Sequence, residues 1–132
     1  MEPTPDDDRP SIDALADRIF AAIEDGDVET ITSMWADDVE VWHNNDGVVQ
    51  TKAQNLAVMK WMIGRTASIE YRDVQRTIGD TGFVQRHVLR LTFDEGRSAE
   101  IPAAIFVEVR DQQVVRIDEY LDSAQAAAAF SR

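Results

Sequence analysis

Asp37-Asp38-Val39-Glu40-Val41-Trp42-His43-Asn44-Asn45-Asp46-Gly47 is the stretch whose reading decides the fold. Val39, Val41 and His43 alternate with Glu40, Trp42 and Asn44, the period of a strand with one buried face. That register puts His43, one of only two histidines in the chain, beside the valines. Asn44 to Gly47 then carries the turn chemistry of a short hairpin into Val48-Val49.

Two short helices are predicted ahead of this strand. Ser11 is a suitable N-cap for a helix with Ile12, Leu15, Ile19 and Ile23 on one face, and Gly26 ends it. Asp27 caps a second, shorter helix with Val28, Ile31, Met34 and Trp35 as its buried stripe. Met1 to Pro10, with Asp6-Asp7-Asp8, is expected to be a disordered acidic leader. It has neither the basic region nor the apolar core of a signal peptide.

After the hairpin, Thr51-Lys52-Ala53-Gln54 matches a capping box and opens a third helix. Its apolar residues crowd most of the circumference from Leu56 to Ile63, which predicts deep packing, with Gly64 as C-cap. Four strands follow, over 68–77, 83–93, 100–110 and 114–121, separated by turn-forming residues. The tail Ser123 to Phe130 is alanine-rich and helical at its start. The expected architecture is α+β, with a single domain over residues 11–132 and helices gathered on one face of a mostly antiparallel sheet.

The chain has 132 residues and a formal net charge of −12, from 13 basic and 25 acidic side chains. That sign excludes a binder of phosphate backbones and disfavours an anionic membrane surface. No apolar run reaches the roughly 20 residues of a membrane span. The absence of cysteine excludes disulfide and thiol chemistry and fits a reducing, cytoplasmic setting. The charge leaves a neutral or lipophilic small molecule, or else another protein, as the expected partner. Glycine-rich phosphate loops and nucleophile elbows are also absent, so nucleotide chemistry and serine hydrolysis have no support.

Strand register locates the chemistry. One face of the second long strand carries Phe83, Gln85, His87, Leu89, Leu91 and Phe93. In the last strand Val115, Ile117, Glu119 and Leu121 share a face. His43, His87 and Glu119 therefore point inward from three strands. Burial raises a carboxyl pKa and lowers that of an imidazole, which brings both groups toward neutrality, where general acid–base catalysis works best. A hydrogen-bonded core histidine is the competing explanation for either imidazole. The histidine spacing has no short metal-binding pair, so neither metal nor cofactor is expected.

Met34-Trp35-Ala36-Asp37-Asp38-Val39-Glu40-Val41-Trp42-His43 and Val115-Arg116-Ile117-Asp118-Glu119-Tyr120-Leu121-Asp122 resemble the SnoaL-like branch of the nuclear transport factor 2-like superfamily. The superfamily also holds ketosteroid isomerase, scytalone dehydratase and limonene epoxide hydrolase. The resemblance spans about residues 11 to 125 in element order. It implies a cone: a strongly curved sheet around a pocket, with three helices on its concave face, usually dimeric through the sheet's outer face.

The resemblance carries the family's chemistry over only in part. The general base of ketosteroid isomerase would fall at His43. Its oxyanion-hole tyrosine would fall at Ile19, and its protonated aspartate at Ala104 or Ile105, none of which can donate a hydrogen bond from a side chain. Of the epoxide hydrolase's first-strand tyrosine and asparagine, which would fall at Trp42 and Asn44, Asn44 alone matches. Its arginine and two aspartates would be approximated by Arg86, Val88 and Glu119, so one acid is missing. The polyketide cyclases are more similar, with a histidine after the first-strand tryptophan and an acid on the last strand. They imply proton abstraction alpha to a carbonyl, without metal or cofactor.

The expectation is thus a small acid–base enzyme of isomerase, cyclase, dehydratase or hydrolase type. Glu119 would be the base, His87 would tune or relay the proton, and His43 with Asn44 would polarise the substrate oxygen. The order of His43 and Glu119 stays open. Expected pocket residues are Ile19, Ile23, Trp42, Asn44, Trp61, Leu89, Ile105 and Leu121. The alternative is a non-catalytic binding or protein-association module on the same fold.

Overall fold

The computed structural model describes residues 8–130. Helices α1 (Arg9–Asp25) and α2 (Val28–Met34) precede strand β1 (Trp35–His43) and the two-residue β2 (Val49–Gln50). Helix α3 (Lys52–Arg65) leads into β3 (Thr66–Ile78), β4 (Gly82–Phe93), β5 (Ser98–Arg110) and β6 (Gln113–Leu121), and α4 (Ser123–Phe130) closes the order. The six strands form one curved, unclosed sheet in the order β2-β1-β6-β5-β4-β3. Only β1 and β6 pair in parallel; the other pairs are antiparallel, as in a meander. Among the described residues no helix is long and apolar enough to cross a membrane.

The caps explain most helix boundaries. Gly26 ends α1 in the left-handed region at φ 68°, its N–H donating back to Ala22 and Ile23 carbonyls. Asp27 accepts from the Thr30 N–H, and Thr51 with Gln54 forms the full capping box of α3. Three boundaries differ from expectation. Trp35, expected on the buried stripe of the second helix, is instead the first residue of β1, where its backbone is extended. Helix α1 begins at Arg9, so residues 9 and 10 of the expected leader are helical and Ser11 lies within the first turn. Pro10 favours that earlier start, because the first turn needs no N–H from it. The rest of the leader, Met1 to Asp7, lies outside the described residues. Gly64 is inside α3, which runs on to Arg65.

A larger difference concerns how α3 is used. Only Asn55 of this helix is buried, while Val58 and Trp61 are each 46% exposed. Its apolar girth lines and rims a cavity rather than filling a core. Alpha-four adds a fourth helix to the expected three, with Ala126 and Ala129 packed inward.

The core is built from Ile12, Leu15, Ile19 and Phe20 of α1, Ile31 and Met34 of α2, and the inward residues of the sheet. Phe83, Gln85, His87, Leu91 and Phe93 are all buried, as the β4 alternation requires. Two bulges change the parity of neighbouring strands. In β6, two residues advance between Val114 and Arg116 while β5 advances one, so Val114 is buried where alternation predicts Val115. In β3 the register shifts between Arg72 and Gln75, with Asp73 at φ 53°. Tyr71 before the bulge and Arg76 after it consequently face the same side.

Candidate active site

Parallel pairing of β1 and β6 places His43 directly across from Glu119. Residues paired in this way project from the same face. Accordingly His43 Nε2 lies 3.0 Å from Glu119 Oε1, with the side chains 18% and 20% exposed. Asn44 secures the strand ends. Its backbone N–H donates to the Glu119 carbonyl at 3.0 Å. Its side chain donates to the Leu121 carbonyl at 3.2 Å and accepts from the Leu121 N–H at 2.9 Å.

The pair forms part of the wall of a cavity of about 680 Å³ between the sheet and the helices. Ile19, Ile23, Trp61, Leu89, Ile105 and Leu121 line it, as expected from the sequence. Trp42 and Asn44 do not line it. They alternate with His43, so the Trp42 ring packs against Tyr120 on the outer face at 5.1 Å, and Asn44 is spent on Leu121. The expected roles of Asn44 in polarising a substrate and of Trp42 in the pocket wall are therefore corrected.

Burial disfavours charge on the His43 imidazole. The hydrogen bond and charge of Glu119, aided by the charge of Asp46, outweigh it and hold the pKa above the ordinary value. His87 behaves oppositely, because burial pushes its pKa down against a weaker pull from Glu119. It is buried beside the rings of Phe20 and Tyr71 and is not among the cavity-lining residues.

The His87 hydrogen bond goes to Gln85, at 3.0 Å from Nδ1. Gln85 in turn accepts from Arg76 Nε at 2.8 Å, and Arg76 reaches Asp13 and Asp17 on α1. A guanidinium only donates, so it takes the amide oxygen and leaves the amide NH₂ to face Nδ1. His87 is thus a neutral imidazole carrying its proton on Nε2. This polar chain pins α1 to the sheet, and it turns His87 away from the relay role expected of it.

Sequence reasoning missed Tyr71. Its side chain lines the cavity, and its hydroxyl has no hydrogen-bond partner among the described residues. Burial, then the charges of Glu119 and Glu24, push its pKa far up, so it stays a protonated donor. Plain alternation from buried Ile69 puts Tyr71 on the inward face, ahead of the bulge, but the strand's faces were not read. Asn55 was also missed; it is 4% exposed and opens onto the cavity from α3. Nothing in the sequence singled it out from Lys52 and Gln54, the other polar residues of the same first turn.

A lone imidazole held by a carboxylate, a protonated phenol and apolar walls can move a proton and stabilise a developing negative charge. The comparisons with known proteins agree with such a fold. No curated protein matches the chain. A provisionally assigned polyketide cyclase from Xanthomonas campestris pv. campestris superposes with a TM-score of 0.79 at 22% identity, covering 92% of this chain and 97% of that one. A nuclear transport factor 2-like protein from Burkholderia xenovorans LB400 gives 0.75 at 18% identity, covering 94% and 98%. A protein of ketosteroid isomerase-like fold from Catenulispora acidiphila DSM 44928, solved with trimethylamine, gives 0.74 at 11%, covering 86% and 89%. These likenesses show the fold, and the SnoaL-like domain model matches residues 16–117. On that match, over most of its length, the chain belongs to the SnoaL-like domain family.

Proposed function

We propose that the protein is an acid–base enzyme that abstracts a proton alpha to a carbonyl of a lipophilic small molecule. The observation that carries this reading is the His43–Glu119 pair at 3.0 Å in the wall of an apolar cavity. Nε2 of His43 is committed to Glu119, and Nδ1 has no partner among the described residues. His43 is then the base, acting through Nδ1, and Glu119 orients the ring and stabilises the imidazolium that forms. The electrons of the broken C–H bond move to the carbonyl oxygen, which accepts a hydrogen bond from the Tyr71 hydroxyl. Return of the proton to another carbon completes an isomerisation; attack of the enolate on a second carbonyl completes a cyclisation. No step calls on a metal or cofactor.

Deuterium exchange at the alpha carbon of α-tetralone, followed by NMR, tests the reading. The protein should accelerate exchange, and His43→Gln and Glu119→Gln should each lower the rate by about 10²–10⁴-fold. Binding of α-tetralone without any accelerated exchange would favour the non-catalytic module instead.

The same reading includes a homodimer formed through the outer face of the sheet. Phe106 and Tyr120 are 45% and 48% exposed there, and the Tyr120 ring meets both Phe106 and Trp42 edge-to-face. An exposed apolar patch of this kind marks an association surface. Sedimentation of wild type and Phe106→Lys should give a dimer and a monomer; a wild-type monomer ends this part of the proposal.

A further inference from the structure

Asn55 is the buried polar side chain of α3, and the proton chemistry does not use it. It is 4% exposed and lines the cavity. Its backbone N–H makes the helical bond to the Thr51 carbonyl. The side-chain amide, two donors and an acceptor, has no partner among the described residues. A polar side chain held this deep ordinarily finds a partner, and this one opens onto the cavity.

The surroundings of Asn55 carry the same deficit. Lys52, one helical turn before it, donates to the Trp35 carbonyl at 2.8 Å and so fastens the start of α3 to β1. Trp35 Nε1 and Gln50 Oε1 are both buried without a partner among the described residues, and both side chains line the same cavity. Unspent donors and an unspent acceptor are thus gathered where β2 runs into α3. Among the described residues no lysine or arginine lines the cavity, its one imidazole is already paired with Glu119, and Asp46 adds negative charge. A carboxylate or phosphate would find no unpaired cation there, whereas an uncharged hydroxyl can both donate and accept.

We infer that Asn55 is the centre of a second polar subsite, which recognises a hydroxyl group of the substrate away from the carbon that reacts. The substrate class is therefore an uncharged hydroxy-ketone with an apolar skeleton between its two polar ends. Trp35 and Gln50 supply further hydrogen-bonding capacity beside the amide. This inference rests on the carbonyl chemistry proposed above only for the identity of the other end.

The test is calorimetric binding of α-tetralone and its ring-hydroxylated isomers to wild type and to the near-isosteric Asn55→Leu. In wild type at least one hydroxylated isomer should bind roughly tenfold or more tightly than the parent ketone. In Asn55→Leu that preference should vanish while the parent ketone still binds. Asn55→Ser, which keeps a small polar group, serves in the same way should the leucine variant not fold, and should keep only part of the preference. Equal affinities in wild type, an unchanged preference in the variants, or no binding of any of these ketones overturns the inference. Discrimination without catalysed deuterium exchange would remove the catalytic reading and leave this one standing; exchange without discrimination would do the reverse.

Discussion

His43, at the end of β1, faces Glu119 of the adjacent parallel strand β6 in register, with Nε2 of the one 3.0 Å from Oε1 of the other. Two opposing influences act on that imidazole. Burial lowers its pKa, while Glu119 and Asp46 raise it, and the net shift is upward. Removing the Glu119 charge should leave burial nearly unopposed. In Glu119→Gln the His43 pKa is therefore expected to fall from above its ordinary value of about 6.5 to below it. An NMR titration of the two imidazoles checks this. A His43 value that ignores the substitution would mean that the pair does not form in solution.

The raised His43 pKa also sets the pH dependence. A group whose pKa is higher folded than unfolded stabilises the fold fully below the unfolded pKa, and the contribution disappears as pH rises through the folded value. Wild type should thus lose stability relative to His43→Gln as pH climbs above about 6.5. Activity runs the other way, since the base must be neutral to accept a proton. The rate of deuterium exchange should rise with pH through the His43 pKa and then level off. Thermal melts and exchange rates over the same pH range should therefore show opposite slopes in wild type.

Much of this site was legible because two strands obey simple alternation. Val39, Val41 and His43 on β1, and Phe83 to Phe93 on β4, follow period two without interruption over the residues that matter, so both histidines were placed inward correctly. The closeness of His43 and Glu119 was not legible. It depends on β1 pairing in parallel with β6, a contact between residues far apart in sequence. Val114 was lost to a bulge, which reverses the face of every residue beyond it. Alpha-three was misjudged for another reason. Apolar residues around a helix say that it meets apolar surroundings, not whether those are side chains or an open cavity.

Asn44 is an exposed residue with a structural task, bridging β1 to Leu121 through both atoms of its side-chain amide. Asn44→Ala removes both bonds where water can replace them, so the expected cost is about 1 kcal/mol. For a domain of this size the melting temperature should drop by roughly 2–6 °C. The strand ends should also loosen, which lengthens the His43–Glu119 contact. A His43 pKa that moves toward its ordinary value alongside the lower melting temperature would identify Asn44 as a positioning residue. A melting effect alone would make it merely structural.

Gln85 decides the protonation state of His87. Its amide oxygen is held by Arg76 and its NH₂ faces Nδ1, so the imidazole proton sits on Nε2. Nitrogen-15 NMR of wild type should show that neutral tautomer, persisting to lower pH than for an ordinary histidine because burial lowers the His87 pKa. Gln85→Glu should invert the arrangement. A carboxylate still accepts from Arg76, but toward Nδ1 it can only accept, so Nδ1 must become the donor. The His87 pKa should then rise, and its proton should move to Nδ1. Gln85→Leu instead strands Arg76 Nε and Nδ1 together, and is expected to cost about 1–3 kcal/mol of stability. If Gln85→Glu leaves the tautomer unchanged, the amide is turned the other way and Arg76 does not hold its oxygen.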